Sequence, residues 1–172
     1  GGHRLIFVGA MDASHNSDAV RCFTLEVLPE VQKRYPDTKL SIVGTRPAGA
    51  VLELSRRPGV IVTGAVPSVT EHLHQSTVCV VPLRAGFGIK NKTLEAMAAG
   101  VPVVASDRGL EGLAIDCPGV PRRALRANVS VEYVNAISQL FDNPQLRSEL
   151  SRNGRQLVQT QYTWESAGQR YE

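Results

Sequence analysis

The sequence predicts an α/β fold: a doubly wound parallel sheet of about six strands, followed by a helical C-terminal segment. Three observations carry this expectation. Short β-branched runs recur along the chain and are apolar on both faces, as strands covered by helices on both sides must be. Segments with helical periodicity stand between these runs, which start 18 to 35 residues apart. That alternation is the pattern of β-α-β units and hence of a parallel sheet. The final third of the chain then carries helical patterning without a further strong strand signal.

Taken in order, the strand runs are residues 5–8 (LIFV), 40–43 (LSIV), 60–62 (VIV), 78–81 (VCVV) and 101–104 (VPVV), with a weaker sixth near 123–127. After the first run, Val20, Phe23, Val27 and Val31 recur at spacings of 3, 4 and 4, one apolar helical stripe. Pro29 falls inside that stretch and should kink or break it. Pro47 suits the first turn of a helix before the third run. Ser68 and Glu71 form an S-x-x-E capping box ahead of the fourth. The glycines and prolines of 108–123 read as loop. Towards the C-terminus, Ser130 is a candidate cap for a helix carrying Val134, Ile137 and Phe141. Asn143-Pro144 is a cap-plus-N1 pair opening a helix with Leu146, Leu150 and Leu157, which Gly154 should interrupt. Thr163 can cap a last segment holding Trp164.

With 172 residues the chain suits one domain, residues 1–172, and a domain of this size buries roughly 68–70% of its unfolded surface. Hydrophobic residues make up 42% and charged residues 20%, which excludes wholesale disorder. The net charge of +3 is too small to argue for nucleic acid, and no basic–aromatic stripe supports it; mild basicity suits small anionic ligands. No apolar run approaches the ~20 residues a membrane span needs. Three cysteines, Cys22, Cys79 and Cys117, are odd in number and far apart, which fits a reducing compartment, and Cys79 reads as a small buried hydrophobe. The opening Gly1-Gly2, followed almost at once by a strand, reads as the start of an excised piece.

Ligands of doubly wound sheets bind beyond the carboxyl ends of the strands, so the loops after each run are the places to inspect. The loop after the fourth run, PLRAGFGIKNKTLE, holds Gly86 and Gly88, where the backbone can approach a ligand closely. The helix that follows offers unpaired N–H groups, and Lys90 and Lys92 add cations beside it, which together make a phosphate site. Glu95, one turn on, can accept hydrogen bonds from vicinal hydroxyls such as those of a ribose. The competing reading makes Lys92 and Glu95 a solvated i,i+3 surface pair. The first loop, GAMDASHNS, from Gly9 to Ser17, either faces the same ligand or simply caps a helix through Asn16 or Ser17. Neither a full G-x-G-x-x-G nor a P-loop motif is present. His72 and His74 stand i and i+2 on a helix and point to different faces, so no metal site is expected. The doublets Arg56-Arg57 and Arg122-Arg123 read as solvated, and no nucleophile–histidine grouping stands out.

The stretch GFGIKNKTLEAMAAGVPVVASD closely resembles the donor-binding signature of GT-B glycosyltransferases of family 4, the group 1 type. RLIFVGAMD, TKLSIVGTRP, VIVTGAVPSVTEHL and NGRQLVQTQYTWESA resemble further pieces of the same domain, in the expected order across almost the whole chain. The resemblance implies a Rossmann-like domain, the nucleotide-sugar-binding C-terminal half of a two-domain enzyme whose N-terminal acceptor domain is absent here. In the family the glutamate matching Glu95 contacts the ribose. Backbone amides matching Gly86, Phe87, Gly88 and Ile89 meet the diphosphate and sugar, and basic residues stand at the positions of Lys90 and Lys92. The segment matching 65–68, with Val66, borders the base. Gly9 and Asn16 match the first-loop positions near the phosphates. The sequence also departs from the pattern. The first glutamate of the family's Glu-x7-Glu motif falls on Phe87 or Ala85, neither acidic; Ala10 replaces an arginine and Asn16 a lysine.

The function implied for the full-length protein is transfer of a sugar from a nucleotide-diphosphate-sugar donor to an acceptor, with retention expected, this fragment alone being inactive. The catalytic residues are not identified and are expected mostly on the missing half; Lys90 and Lys92 are candidates to stabilise the departing diphosphate. The partners implied are the donor and a carbohydrate or glycolipid acceptor, without nucleic acid, metal or a further cofactor. A cytoplasmic location is expected, with peripheral membrane attachment of the intact enzyme as an option. The alternatives are a non-catalytic nucleotide-sugar-binding module or a GT-B sugar-nucleotide epimerase.

Overall fold

The computed structural model describes residues 2–11, 13–47, 49–84, 90–111, 113, 115 and 118–162, and of Lys90, Asn91, Gln161 and Tyr162 the backbone only. Strands β1 (Arg4–Val8), β2 (Lys39–Val43), β3 (Val60–Gly64), β4 (Val78–Val81), β5 (Val103–Ala105) and β6 (Leu125–Arg126) form one sheet. Its order is β3-β2-β1-β4-β5-β6 and every pairing is parallel. Each predicted run lies on a strand, with one shift of register. The fifth strand begins at Val103 rather than residue 101, because Pro102 has no N–H for the ladder and contributes only its carbonyl, which accepts from Cys79 N at 2.9 Å.

Helices α1 (Ser14–Cys22) and α2 (Leu28–Arg34) are joined without a break by a π-helical turn, Phe23–Val27. The break expected at Pro29 does not occur; a widened turn takes its place. Pro29 sits in the first turn of α2 and cannot donate to residue 25, so the preceding turn widens. Thr24 Oγ1, donating to Val20 O at 2.6 Å, occupies one of the loosened carbonyls. The stripe Val20, Phe23, Val27 and Val31 is buried, with Phe23 edge-on to Tyr133. A short α3 (Gly49–Leu52) runs into a 3-10 turn, Glu53–Arg56; Pro47 lies before this helix rather than in its first turn. In α4 (Val69–His74) half of the expected capping box is present: Ser68 accepts from Glu71 N at 3.3 Å, while the Glu71 carboxylate does not accept from Ser68 N.

Helix α5 (Lys90–Ala98) connects β4 to β5, while α1 and α2 connect β1 to β2 in the opposite direction along the sheet. Right-handed crossovers therefore place them on opposite faces. Helix α6 (Ser130–Asp142) packs with α2 and the π-helical turn, and α7 (Pro144–Leu157) packs on α5. Two expectations about these last helices are corrected. Ser130 is not a cap: Glu132 reaches back and accepts from the amides of Asn128 (2.8 Å) and Val129 (3.3 Å), so the helix already begins at Ser130. Gly154 does not interrupt α7 either. A methyl group there would lie 3.2 Å from Met97 Cγ, so the glycine is what lets α7 close on α5. The Asn143 cap holds as expected, accepting from Leu146 N at 3.1 Å. Thr163 and Trp164 lie outside the described residues.

Phe7, Ile6, Leu40 and Ile42 are buried in the sheet's interior. Cys79 lies there too, and burial pushes its thiol up to about 12. Native protein at neutral pH is therefore expected to leave Cys79 unlabelled by a thiol reagent while the half-exposed Cys22 reacts; peptide mapping after a timed exposure checks it.

Candidate functional site

The chain winds outward from β1 through β2 to β3, then returns past β1 to start β4 and winds the other way. At the β1–β4 boundary the two outgoing loops diverge, which opens a crevice at the carboxyl end of the sheet. Three of the sequence-predicted residues meet there. Gly9 leaves β1 buried, and a methyl group on it would fall 2.8 Å from Lys92 Cε and 2.9 Å from Asn16 Nδ2. A side chain on Gly9 would push Lys92 and Asn16 out of these positions.

The first loop is not built as a side-chain cap. Asn16 Nδ2 donates to Ala10 O at 2.8 Å and Ser17 Oγ to Met11 O at 2.5 Å, so both side chains grip the incoming loop instead. The cap position belongs to Ala13, which has no side-chain acceptor, and α1 has no acid in its first turn. Among the described residues no acid stands in the first turn of either helix, so two positive helix ends lie near Gly9, each worth about 0.3–1 kcal/mol toward an anion. Asn16 is buried, and its Oδ1 has no partner among the described residues.

Lys92 adds a full charge. It is half-buried, and that burial holds its pKa below the ordinary lysine range, partly offset by the nearby Glu95 carboxylate. The two do not form an ion pair, so the solvated-pair reading is not what the structure contains; Glu95 itself is exposed. Between them, Thr93 is buried and donates to Gly109 O at 2.5 Å, pinning the first turn of α5 to the loop after β5. Ser106 donates to Leu83 O at 2.6 Å and accepts from Gly109 N at 3.2 Å, tying the β4 exit to the same loop.

The remaining predicted residues are dispersed. Val66 follows β3, two strands from β1, and its half-buried side chain packs on the core. Lys90 is the first residue of α5. Gly86, Phe87, Gly88 and Ile89, and Ala85 with them, lie outside the described residues. Of the arginine doublets, Arg56, Arg57 and Arg122 are exposed as expected, but Arg123 is half-buried, with Nε enclosed. Among the described residues no cluster of three or more His, Cys, Asp or Glu could hold a metal ion. A separate cavity of about 410 Å³ opens between α1 and α6, against Leu83, Arg84 and Tyr133. Neither Lys92 nor the first turn of α1 or α5 lines it.

Sequence reasoning missed Gly44, Thr93 and Ser106. Gly44 meets Gly9 across two loops, and the other two act through carbonyls far along the chain, so no local pattern signals any of them.

The family model described as glycosyl transferases group 1 matches residues 2–143. The chain belongs to this family. A mannosyltransferase of Mycolicibacterium smegmatis, named GDP-mannose-dependent alpha-(1-6)-phosphatidylinositol monomannoside mannosyltransferase, is 27% identical over 85% of this chain and 41% of its own length. Among solved structures, S. aureus TarM in complex with UDP superposes with a TM-score of 0.75 at 19% identity, covering 99% of this chain and 34% of that one. The C-terminal domain of a Francisella tularensis group 1 protein (LpcC) gives 0.68 at 18% identity, covering 94% and 87%. These structural likenesses show the Rossmann-like fold of the family's domain. This group 1 chain spans less than half the length of the curated relative, yet nearly all of a neighbour that is a C-terminal domain.

Proposed function

We propose that this group 1 chain is the donor-binding half of a two-domain glycosyltransferase, taking a nucleotide-diphosphate sugar whose sugar passes to an acceptor held mainly by the other half. The observation that carries this is the convergence on Gly9, at the β1–β4 boundary, of Lys92 and two helix N-termini that have no acid in their first turns. A diphosphate seated there gains charge as the glycosyl bond breaks, and fixed amides with a lysine stabilise it without reorganising. Lys90 and the amides of Gly86, Phe87, Gly88 and Ile89 complete the phosphate and sugar contacts, Glu95 takes the ribose hydroxyls, and Val66 borders the base. Asn16 holds the first loop in place. Departure of the sugar with retention, a carbohydrate or glycolipid acceptor, and a cytoplasmic site of action belong to the same reading. The UDP bound to TarM supports the class of donor.

A melting-shift series with UDP, GDP, ADP, dTDP and CMP tests it. One nucleoside diphosphate at 100 times its dissociation constant should stabilise the protein by about 2.7 kcal/mol, with CMP inert. No shift with any of the five removes the donor site. Transfer by the full-length enzyme from a radiolabelled sugar nucleotide then separates catalysis from binding alone.

A further inference from the structure

The donor-binding reading leaves one cavity on the rim of the sheet unused. It opens where the exits of β4, β5 and β6 face α1 and the start of α6, and its volume is about 410 Å³. That lies within the roughly 300–1,000 Å³ of small-molecule sites. One wall is Arg84, which in the chain directly precedes the glycine-rich segment 85–89. On the donor-binding reading, a ligand held here lies beside the sugar to be transferred.

The charges lining the cavity do not favour an ion. Two arginines, Arg84 and Arg108, stand against two acids, Glu26 and Asp107. Three of the four are turned to other partners. Arg84 Nη1 donates to Cys22 Sγ at 2.8 Å and lies 3.9 Å from Asp18, Arg108 pairs with Glu111 at 3.5 Å, and Asp107 pairs with Arg126 at 2.8 Å. The floor is apolar: Phe23, Leu83 and Tyr133 are buried, the two rings edge to face at 5.9 Å. Polar groups with bonding capacity left surround it. Asn128 Oδ1 accepts from Asp107 N at 3.0 Å, while Asn128 Nδ2, the Ser130 hydroxyl and the Glu26 carboxylate have no partner among the described residues. A donor, an acceptor and a hydroxyl that serves as either thus stand over an aromatic floor.

A sugar ring has the matching chemistry: no charge, apolar C–H faces, and an edge of hydroxyls that donate and accept. We infer that the cavity between α1 and α6 binds a neutral sugar residue of the acceptor, giving this half an acceptor subsite of its own. A phosphate would find no net positive charge there, and a purely apolar ligand would bury Glu26 and Asn128 without partners. The subsite's role in transfer rests on the donor-binding reading; its occupation by a sugar does not.

An amide-resolved NMR titration of this chain without nucleotide tests it. The probes are the methyl α-glycosides of glucose, mannose and galactose, maltose as a longer sugar, and inositol hexakisphosphate as a charged control. At least one sugar is expected to shift the amides of Phe23, Asn128 and Tyr133 and to leave those of Gly9 and Asn16 unmoved. Glu26→Ala removes the free acceptor. Asn128→Asp keeps the oxygen that holds Asp107 N and removes the free donor. Each should weaken the sugar about tenfold, with the variants melting and binding nucleoside diphosphate like the parent. In the full-length enzyme, Glu26→Ala should raise the acceptor KM by a similar factor and leave the donor KM alone. No response to any sugar overturns the inference, as does equal binding by parent and variants. A response to inositol hexakisphosphate alone would assign the cavity to an anion. Sugar binding with an unchanged acceptor KM would overturn the acceptor role. Sugar binding in a chain that no nucleotide stabilises would sustain the sugar site and remove the donor reading.

Discussion

Gly44→Ala is expected to destabilise the protein by about 3 kcal/mol or more, lowering its melting temperature by about 6–12 °C. The added Cβ would lie 1.7 Å from Gly9 O and 2.7 Å from its carbonyl carbon. Both are backbone atoms, so no rotamer change relieves the clash and the loops after β1 and β2 must separate. Separation stretches the bonds that join them, Gly9 N to Val43 O at 3.0 Å and Met11 N to Thr45 O at 2.9 Å. It also draws Gly9 away from Lys92, so nucleotide affinity should fall with stability. Gly49→Ala is the control: nothing lies within 4 Å of its added carbon and it begins α3, so it should be neutral or stabilising by up to about 1 kcal/mol. Thermal melts of the two variants beside the parent decide the matter. Equal melting of Gly44→Ala and Gly49→Ala would contradict the close loop contact.

Lys92→Ala is expected to weaken nucleoside-diphosphate binding by about 10- to 100-fold, the value of one charge-assisted hydrogen bond, with little loss of stability. The pH dependence is more diagnostic than the size. Burial lowers the lysine's pKa, so the folded state disfavours its charged form relative to the unfolded chain. Below the lowered pKa the group is protonated in both states and the cost is fully present. As pH rises through it, the native lysine loses its proton first, the unfolded chain then binds more protons, and Lys92's contribution to stability improves. Affinity for the diphosphate moves the other way over the same interval, because the charge that attracts it disappears. Lys92→Arg keeps its charge, so its affinity should stay flat where the parent's falls. Calorimetric titration across the alkaline range, with melts at the same pH values, reads both trends. An identical affinity profile in parent and Lys92→Arg would remove Lys92 from the phosphate contact.

Much of the fold was legible because its signals are local. The apolar runs that become β1 to β5 must be covered on both faces wherever they lie, and Pro29 widens the helix before it without help from any distant residue. The Ser68 and Asn143 caps likewise satisfy amides three residues away. Where the sequence misled, a neighbour had taken over the role. Glu132 satisfies the amides assigned to Ser130, Met97 explains Gly154, and Asn16 and Ser17 spend their polar atoms on the first loop's carbonyls.

For the site, the motif around Lys92 and Glu95 marked the residue types a diphosphate and a ribose need, and the first loop supplied Gly9 and Asn16. Sequence alone therefore determined the α/β class, the kinds of residue at the ends of β1 and β4, and the family. Only the tertiary structure decided that these two ends are neighbours. A run apolar on both faces reads the same at any position in a sheet, so the order β3-β2-β1-β4-β5-β6 comes from how the crossovers pack. That order brings Gly9, Asn16 and Lys92 together across 83 residues of chain (92 − 9), presses Gly44 against Gly9, and half-buries the lysine.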